Sequence, residues 1–251
     1  MHKLNNILVD DFKYILASEE GFKNKTLDDL LAKGFYRMQH LMFTCNQTAI
    51  NYETFTIPVF WLRTLVQEVK LSKNALNILK KCSAFNVNIT DAFVDDEIEK
   101  LYALYKNHVS FIVSESCKDY LHTDALDMPF DSKMIKVYDN KKLIAVGYFD
   151  KGSNTIAGIM NVYHPAYKSY SLGKFLMLQK MQYALSHNMQ YYYTGYISTQ
   201  STRFDYKTFP DVNAVEVLLP LQQEWIAYNL VGKKFLAEYA ATFFQVDEEK
   251  I

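Results

Sequence analysis

The chain has 251 residues, of which 49% are hydrophobic, and this length is enough to bury the core of one large domain or two small ones. Its 27 Lys and Arg residues nearly balance 28 Asp and Glu residues, so the net charge of −1 provides no overall attraction to nucleic acid or to an anionic membrane. With only 8 Gly and 5 Pro residues, the composition argues against long linkers and disorder.

The three cysteines, Cys45, Cys82 and Cys117, are widely spaced and form no CxxC motif. This pattern predicts free thiols rather than a disulfide framework. The opening segment MHKLNNILVDDFKYIL is polar too early for a signal peptide, and no apolar run approaches the ~20 residues that span a bilayer. We therefore expect a cytoplasmic protein without a membrane partner.

The first half of the chain predicts a mixture of helices and strands. After a possible short helix over residues 7–20, TLDDLLAKGF predicts a helix that begins at the N-cap Thr26 and ends at Gly34. LMFTC and ETFTIPVFWL predict two strands separated by a polar turn. LSKNALNILKKC then predicts a helix capped by Ser72, FNVNIT alternates as a strand does, and VDDEIEKLYALYKNHVSFI has helical spacing.

The second half is more regular. KMIKVYD, KLIAVGYFD and IAGIMNVYHP predict three antiparallel strands joined by tight turns at NKK and KGSNT. A helix from about Leu172 to Ser186 follows, and its wide apolar stripe predicts that it is amphipathic. YYYTGY and AVEVLLP predict two further strands, and LQQEWIAYNLVGKKFLAEYAATFF predicts a segment that is mostly helical.

Three antiparallel strands, a crossover helix and another strand form a specific order, in which the strands that flank the helix become parallel neighbours. Such neighbours can pair at one end and part at the other, which leaves a cleft for an extended acyl substrate beside the helix N-terminus. This order resembles the GNAT acyltransferase fold. We therefore predict an α+β protein with a mixed, mostly antiparallel sheet, in which a small N-terminal α/β module (residues 1–92) precedes a GNAT-like domain (residues 93–251).

The densest set of motifs runs from Tyr163 to Lys207. It holds a Tyr-x-Pro turn, a Ser-Leu-Gly helix opening, a Tyr-x-Gly-Tyr-Ile strand and an Arg-Phe-x-Tyr-Lys tail. In order and spacing these motifs resemble the C-terminal region of the arginyl/leucyl-tRNA–protein transferase family. The resemblance covers roughly residues 27–219 and is dense after about residue 134.

The resemblance implies transfer of an aminoacyl group from aminoacyl-tRNA to the amino group of a protein or peptide, as in the N-degron pathway, without a further cofactor. Three departures accompany it. Cys45 lacks the family's partner cysteines, so no metal is expected, and lysines replace most of an arginine-rich helix. Met38, beside Arg37, replaces one of a pair of arginines.

Two alternatives remain open at this point. One is an acyl-CoA-dependent N-acyltransferase on the same scaffold, although the segment KSYSLGK has a single glycine where a CoA-binding loop usually has more. The other is a non-catalytic relative that binds a peptide. The sequence makes no prediction about the oligomeric state.

Three residues are candidates for catalysis: Tyr196 as part of the acyl pocket, Asp205 to orient the amine, and His164 as a base. The helix opening offers free backbone N–H groups to a phosphate or an oxyanion. Nearby cations are candidates for phosphate or carboxylate contacts. The complete set of predicted substrate and donor contacts is Arg37, Tyr163, Lys168, Ser171, Leu172, Gly173, Lys174, Tyr193, Arg203, Tyr206 and Lys207.

For each candidate a structural role is the alternative. Tyrosines in a strand commonly pack in the core, a charged loop is commonly solvated, and Gly173 would also let the helix lie close to the sheet.

Overall fold

The computed structural model describes residues 12–18, 20–49, 56–121 and 129–242, and within these ranges it has five α-helices and twelve β-strands. The helices are α1 (Asn24–Ala32), α2 (Lys73–Lys81), α3 (Asp96–Lys106), α4 (Leu172–Ser186) and α5 (Tyr228–Ala241). The strands are β1 (Lys13–Leu16), β2 (Tyr36–Met38), β3 (Leu41–Thr44), β4 (Gln47–Ala49), β5 (Thr56–Leu65), β6 (Asn86–Asp91), β7 (Ser132–Asp139), β8 (Lys142–Lys151), β9 (Thr155–Tyr163), β10 (Tyr191–Ser198), β11 (Val215–Leu219) and β12 (Glu224–Ala227).

The described strands form one large sheet and one small sheet. The large sheet has the order β12-β11-β5-β10-β9-β8-β7-β6, with β4 also paired to β5, and the small sheet has the order β1-β3-β2. Every pairing in the large sheet is antiparallel except that of β9 with β10. The predicted α+β class with a mixed and mostly antiparallel sheet is confirmed, and the strands that flank α4 are parallel neighbours as predicted.

Strands from both sides of the predicted domain boundary share this sheet. β5 lies between β10 and β11, and β6 pairs with β7 along six residues. The hydrogen bonds of β5 make this strand part of the same sheet as the later strands. The division of the chain at residue 92 stays a prediction.

Side-chain caps mark the start of two helices, and the first of these caps is the predicted one. Ser72 caps α2, because its hydroxyl accepts a hydrogen bond from the Ala75 amide at 3.3 Å. Asp95 caps α3 in the same way, accepting from the Ile98 amide at 2.9 Å. The helix from Leu172 to Ser186 is also confirmed.

Two predictions about single elements are wrong. Helix α1 begins at Asn24 with Lys23 as its N-cap residue, so Thr26 lies inside the helix. Lys13–Leu16 form a strand because they pair with β3, whereas the rest of the predicted helix over 7–20 lies largely outside the described residues. The C-terminal segment is mostly helical as predicted, with β12 preceding the helix and pairing with β11.

Helix α4 is not amphipathic. Its buried residues are Leu172, Phe175, Leu176, Met177, Leu178, Lys180, Met181 and Ala184, which lie on more than one face. One face covers the sheet through Ile144 and Ile156, and another packs against Ala75 and Ile78 of α2. The helix is therefore a central core element, and it holds its N-terminus in a fixed position above the sheet.

Two further helices cover the sheet. Ile98 and Leu101 of α3 pack with Val146 and Val162, and Leu236 of α5 packs in a separate cluster with β5 and β11. No helix in the described part of the chain is both long and apolar enough to cross a membrane.

Candidate functional site

Strands β9 and β10 pair at one end only. Tyr191–Tyr193 pair with Thr155–Ala157, and then β10 bulges before Gly195, whose φ of +105° lies in a region that favours glycine. Beyond the bulge β10 stays with β5, and β9 stays with β8. The two strands therefore part, and the cleft predicted beside Gly173 is present.

A cavity of about 750 Å³ occupies this opening. Its lining includes ten of the fourteen predicted site residues. These are Arg37, Tyr163, Lys168, Ser171, Leu172, Gly173, Lys174, Tyr196, Tyr206 and Lys207.

Two of the predicted catalytic residues lie outside the cavity lining. The Nδ1 atom of His164 accepts a hydrogen bond from the Ala166 amide at 3.2 Å, which caps the 3₁₀ helix Pro165–Tyr170. Asp205 forms an ion pair of 2.6 Å with Lys233 of α5. His164 therefore caps a 3₁₀ helix, and Asp205 pairs with a residue of α5.

Two predicted binding residues also lie outside the lining. Tyr193 is 2% exposed and packs against Trp225 with ring centroids 5.7 Å apart. The Arg203 guanidinium lies over the Phe111 ring, 4.2 Å from its centroid. Phe111 is a lining residue, so Arg203 contacts a side chain of the cavity wall.

Arg37 reaches the cavity lining, but protein groups occupy most of its donors. Its NH1 group donates to Asp150 at 2.7 Å and to Ser132 at 2.8 Å, while its other nitrogens donate to the Gln39 and Leu121 carbonyls. The Arg37 and Asp150 side chains are 2% and 0% exposed. Burial raises the pKa of Asp150, and the Arg37 guanidinium opposes that rise. Arg37 is thus half of a buried ion pair.

The N-terminus of α4 lies in the cavity wall. Ser171 adopts a left-handed conformation, with φ +54°, and its carbonyl accepts from the Lys174 amide at 3.0 Å. The first two amides of the helix, at Leu172 and Gly173, have no backbone acceptor among the described residues, as is usual for a first turn. A Cβ atom at Gly173 would lie 3.3 Å from the Tyr163 ring, so this glycine also permits close packing.

Lys180 is a lining residue that the sequence analysis did not single out. It is 1% exposed, and its Nζ donates to the Met160 carbonyl at 3.2 Å and to Asn161 Oδ1 at 2.8 Å. Burial lowers its pKa to about 7. The sequence feature that could have identified Lys180 is its position four residues after Leu176, because this spacing places the two side chains on the same side of the helix.

Lys207 reaches the cavity from the 3₁₀ helix Asp205–Thr208. Its Nζ lies 4.4 Å from the centroid of the Tyr196 ring and 5.1 Å from that of Phe204. Desolvation lowers the pKa of Lys207 to about 7, and the charge of Arg203 adds to this shift.

Tyr36 spans the parted strands. Its hydroxyl donates to the Gly158 carbonyl of β9 and lies 3.0 Å from the Tyr193 carbonyl of β10. Its ring stacks on Trp61 with centroids 5.1 Å apart. Burial raises the pKa of Tyr36 well above its usual value, so the hydroxyl stays protonated. Sequence patterns missed this residue because it belongs to β2, far from the motifs that carry the site.

The ionisable groups of the cavity are basic residues and tyrosines. Among the described residues that line it there are five basic side chains and no carboxylate. Asp150 balances the charge of Arg37, Lys168 and Lys174 flank the α4 N-terminus, and burial lowers the pKa values of Lys180 and Lys207 to about 7. Such a lining favours anionic groups of a ligand and disfavours a cationic one.

The cysteines do not form a metal site in the described residues. Cys45, Cys82 and Cys117 are free and buried, as predicted. No group of three or more His, Cys, Asp or Glu side chains is arranged to hold a metal ion in the described part of the chain.

Residues 97–212 match the family described as arginine-tRNA-protein transferase, C terminus. An aspartate/glutamate leucyltransferase of Leptospira interrogans is 24% identical over 169 residues, which are 65% of this chain and 66% of that protein, just under two thirds of its length. An enzyme with the same name from Pseudoalteromonas atlantica is 24% identical over 230 residues, or 88% of this chain and 90% of that protein. The solved structure of FemX overlaps 82% of this chain and 70% of its own, with 11% identity and a TM-score of 0.44.

Proposed function

We propose, from the premise that this chain is a divergent member of the aminoacyl-tRNA–protein transferase family, that it moves an aminoacyl group from aminoacyl-tRNA to the amino group of a protein or peptide. The observation that carries the proposal is the cavity between the parted ends of β9 and β10, at the N-terminus of α4. All three elements lie within the residues that match the family.

The reaction needs few chemical groups. Because an aminoacyl ester is already activated, no covalent enzyme intermediate is required, but the amine must lose a proton and the developing oxyanion needs donors. The amides of Leu172 and Gly173 are donors of this kind, placed in the cavity wall. Tyr196 and Tyr163 line the same cavity and align the reactants by contact with their ring faces.

The lining favours an apolar aminoacyl group over an arginyl group. Ile159, Leu172 and Met177 contribute apolar surface, whereas the charged lining residues in the described ranges are all cations. A guanidinium placed there would be repelled and would lack a carboxylate partner. The same cations suit an acceptor that begins with Asp or Glu, which agrees with the name of the aspartate/glutamate leucyltransferase relatives.

The mouth of the cavity presents a basic surface for the tRNA phosphates. Lys168 and Lys174 lie on either side of the α4 N-terminus. The Lys81 Nζ lies 3.4 Å from the Ser169 carbonyl, which brings the basic C-terminal end of α2 beside this mouth. Lysines of two elements thus form this surface, and phosphate contacts of this kind do not require a basic protein overall.

The remaining expectations belong to the same proposal. Transfer to an acidic N-terminal residue would place the protein in the N-degron pathway of the cytoplasm. The donor would be aminoacyl-tRNA, with no metal and no other cofactor.

Transfer assays test the proposal directly. The protein is incubated with tRNAs charged with labelled amino acids and, separately, with labelled acetyl-CoA. Acceptors are peptides that differ only in an N-terminal Asp, Glu or Ala, and an N-acetylated Asp peptide serves as the control. We expect label to move from leucyl-tRNA to the Asp and Glu peptides and not to the blocked peptide.

Each other outcome has a defined meaning. Label that moves only from the thioester would contradict the proposal and favour the acyl-CoA alternative. Peptide binding without transfer from any donor would favour the non-catalytic alternative. Transfer of arginine in preference to leucine would retain the aminoacyl donor but overturn the argument from the charge of the cavity.

A further inference from the structure

Lys207 lies against a backbone position that accommodates only glycine. A Cβ atom at Gly195 would lie 2.7 Å from the Lys207 Nζ and 3.3 Å from its Cε, and the φ of Gly195 is +105°. The β10 bulge therefore leaves the space through which the lysine reaches the cavity. This arrangement places an amine at the point where β9 and β10 part.

The Lys207 amine has no protein partner among the described residues. No hydrogen bond or ion pair joins it to a carboxylate there, and its neighbours are the faces of Tyr196 and Phe204. The adjacent Asp205 pairs with Lys233 instead. Lys180 differs, because its Nζ already donates to two acceptors. Lys207 is thus a desolvated lysine of the cavity whose nitrogen is available to a ligand.

Burial and one neighbouring charge disfavour the protonated form of Lys207. Desolvation lowers its pKa to about 7, and the charge of Arg203 adds to this shift. Burial raises the pKa of Tyr196, which is therefore neutral at physiological pH. The titratable or charged groups that face this region are Tyr196 on β10, Tyr163 on β9, Tyr105 on α3, and Arg203, Asp205 and Tyr206 beside Lys207 in the chain.

We propose that Lys207 is the catalytic base that takes a proton from the α-ammonium group of the acceptor, an inference that rests on the proposed aminoacyl transfer. The neutral α-amine then attacks the ester carbonyl, so that a C–N bond forms and the C–O bond to the ribose breaks. The proton held by Lys207 passes to the departing ribose oxygen. The attacking nitrogen releases its second proton to solvent as the C–O bond breaks, so the products are an amide, a free tRNA hydroxyl and one proton, and no oxidant or further reactant is needed.

The proton affinities of the two amines suit this step. A free α-amino group titrates at roughly 7.7–8.0, close to the pKa of about 7 for Lys207, so the transfer is nearly balanced. An ordinary exposed lysine, with a pKa near 10.4, would be protonated and unable to accept.

The decisive experiment compares K207R with K207M. Arginine keeps the positive charge but cannot accept a proton, whereas methionine keeps the volume without the charge. We expect both variants to lose roughly 10²–10⁴-fold in kcat, the range for a general base. K100R and K100M, on the exposed face of α3, are the matched controls and should retain the rate of the unmodified protein.

Two further measurements separate a base from a structural residue. Tertiary amines accept protons but cannot be acylated, so they should restore part of the activity of K207M in proportion to their basicity. Competitive acetylation with acetic anhydride, followed by mass spectrometry, reports the pKa of each lysine independently of turnover. We expect Lys207 to titrate near 7.

The possible failures are distinguishable. If K207R retains the full rate, or if Lys207 titrates above pH 9, the role of Lys207 as a base is overturned while aminoacyl transfer stands. If the unmodified protein transfers no amino acid from any charged tRNA, the proposed function fails and the role of Lys207 falls with it.

Discussion

The Nζ of Lys180 lies 2.8 Å from Oδ1 of Asn161, and this contact connects the middle of α4 to β9 at the floor of the cavity. The Nδ2 atom of Asn161 in turn donates to the Gly173 carbonyl at 3.3 Å. The first turn of α4 is thereby held against the strand that borders the opening. Lys180 is accordingly a positioning residue, in contrast to Lys207.

Lys180 makes the stability of the protein depend on pH. Burial lowers its pKa from 10.5 to about 7, so between these values the unfolded chain binds one more proton than the folded chain. The free energy of unfolding should therefore rise with pH across this window, by about 1.4 kcal/mol per pH unit from this residue. Stability is lost as the pH falls toward 7.

The variant K180M should flatten that dependence. Urea unfolding at pH 7, 8, 9 and 10 would show a slope lower by about 1.4 kcal/mol per pH unit than in the unmodified protein. K100M, which changes an exposed lysine, should leave the slope as it is. An unchanged slope in K180M would mean that Lys180 is protonated in the folded state.

Gly195→Ala should impair transfer by displacing Lys207. The added Cβ would lie 2.7 Å from the Lys207 Nζ, and its φ of +105° would also be strained. Gly232→Ala is the control for strain alone, since φ there is +62° and nothing lies within 4 Å of the added Cβ. We expect both variants to lose about 1–2 kcal/mol of stability, and only Gly195→Ala to lose at least tenfold in kcat. Equal activities would show that the position of Lys207 is unimportant.

Arg37→Met should act on folding more than on the choice of acceptor. It leaves Asp150 buried, 0% exposed, without its cationic partner. Breaking a buried ion pair from one side costs roughly 3–5 kcal/mol. Chemical denaturation measures this loss, and transfer assays at a temperature where the variant remains folded measure the preference for Asp and Glu peptides. A loss of preference with little change in stability would restore Arg37 to the role predicted from the sequence.

Charge reversal at the cavity mouth should weaken the use of tRNA. Lys81→Glu and Lys168→Glu each remove one proposed phosphate contact, so the slope of log affinity against log salt should decrease by about 0.7–0.9 for each residue. Lys100→Glu makes the same charge change on α3 and should leave the slope unchanged. Filter binding of aminoacyl-tRNA between low and moderate salt measures all three. If the variants have the same slope as the unmodified protein, the cavity mouth is not the tRNA-binding surface.

The order of motifs from Tyr163 to Lys207 predicted the place of the site, and the structure has β9, β10 and α4 meeting there. Within this region, the sequence analysis selected candidate site residues by residue type. It selected His164, which caps a 3₁₀ helix, and passed over Lys180, which is buried in the lining. Residue type does not decide whether a side chain faces a cavity, because that depends on what packs against it.

The sequence by itself determined the elements whose signals act within a few residues: the Ser72 cap of α2, the three antiparallel strands β7 to β9, and the extent of α4. A cap or a tight turn is closed by hydrogen bonds between neighbours in the chain, so the local sequence suffices. Only the tertiary structure decided that Arg37 pairs with Asp150 and that Lys207 lies beside Gly195 with no carboxylate partner in the described ranges. These environments are formed by segments far apart in the chain. Only when those segments meet is a lysine desolvated, and this desolvation lowers its pKa toward neutral pH.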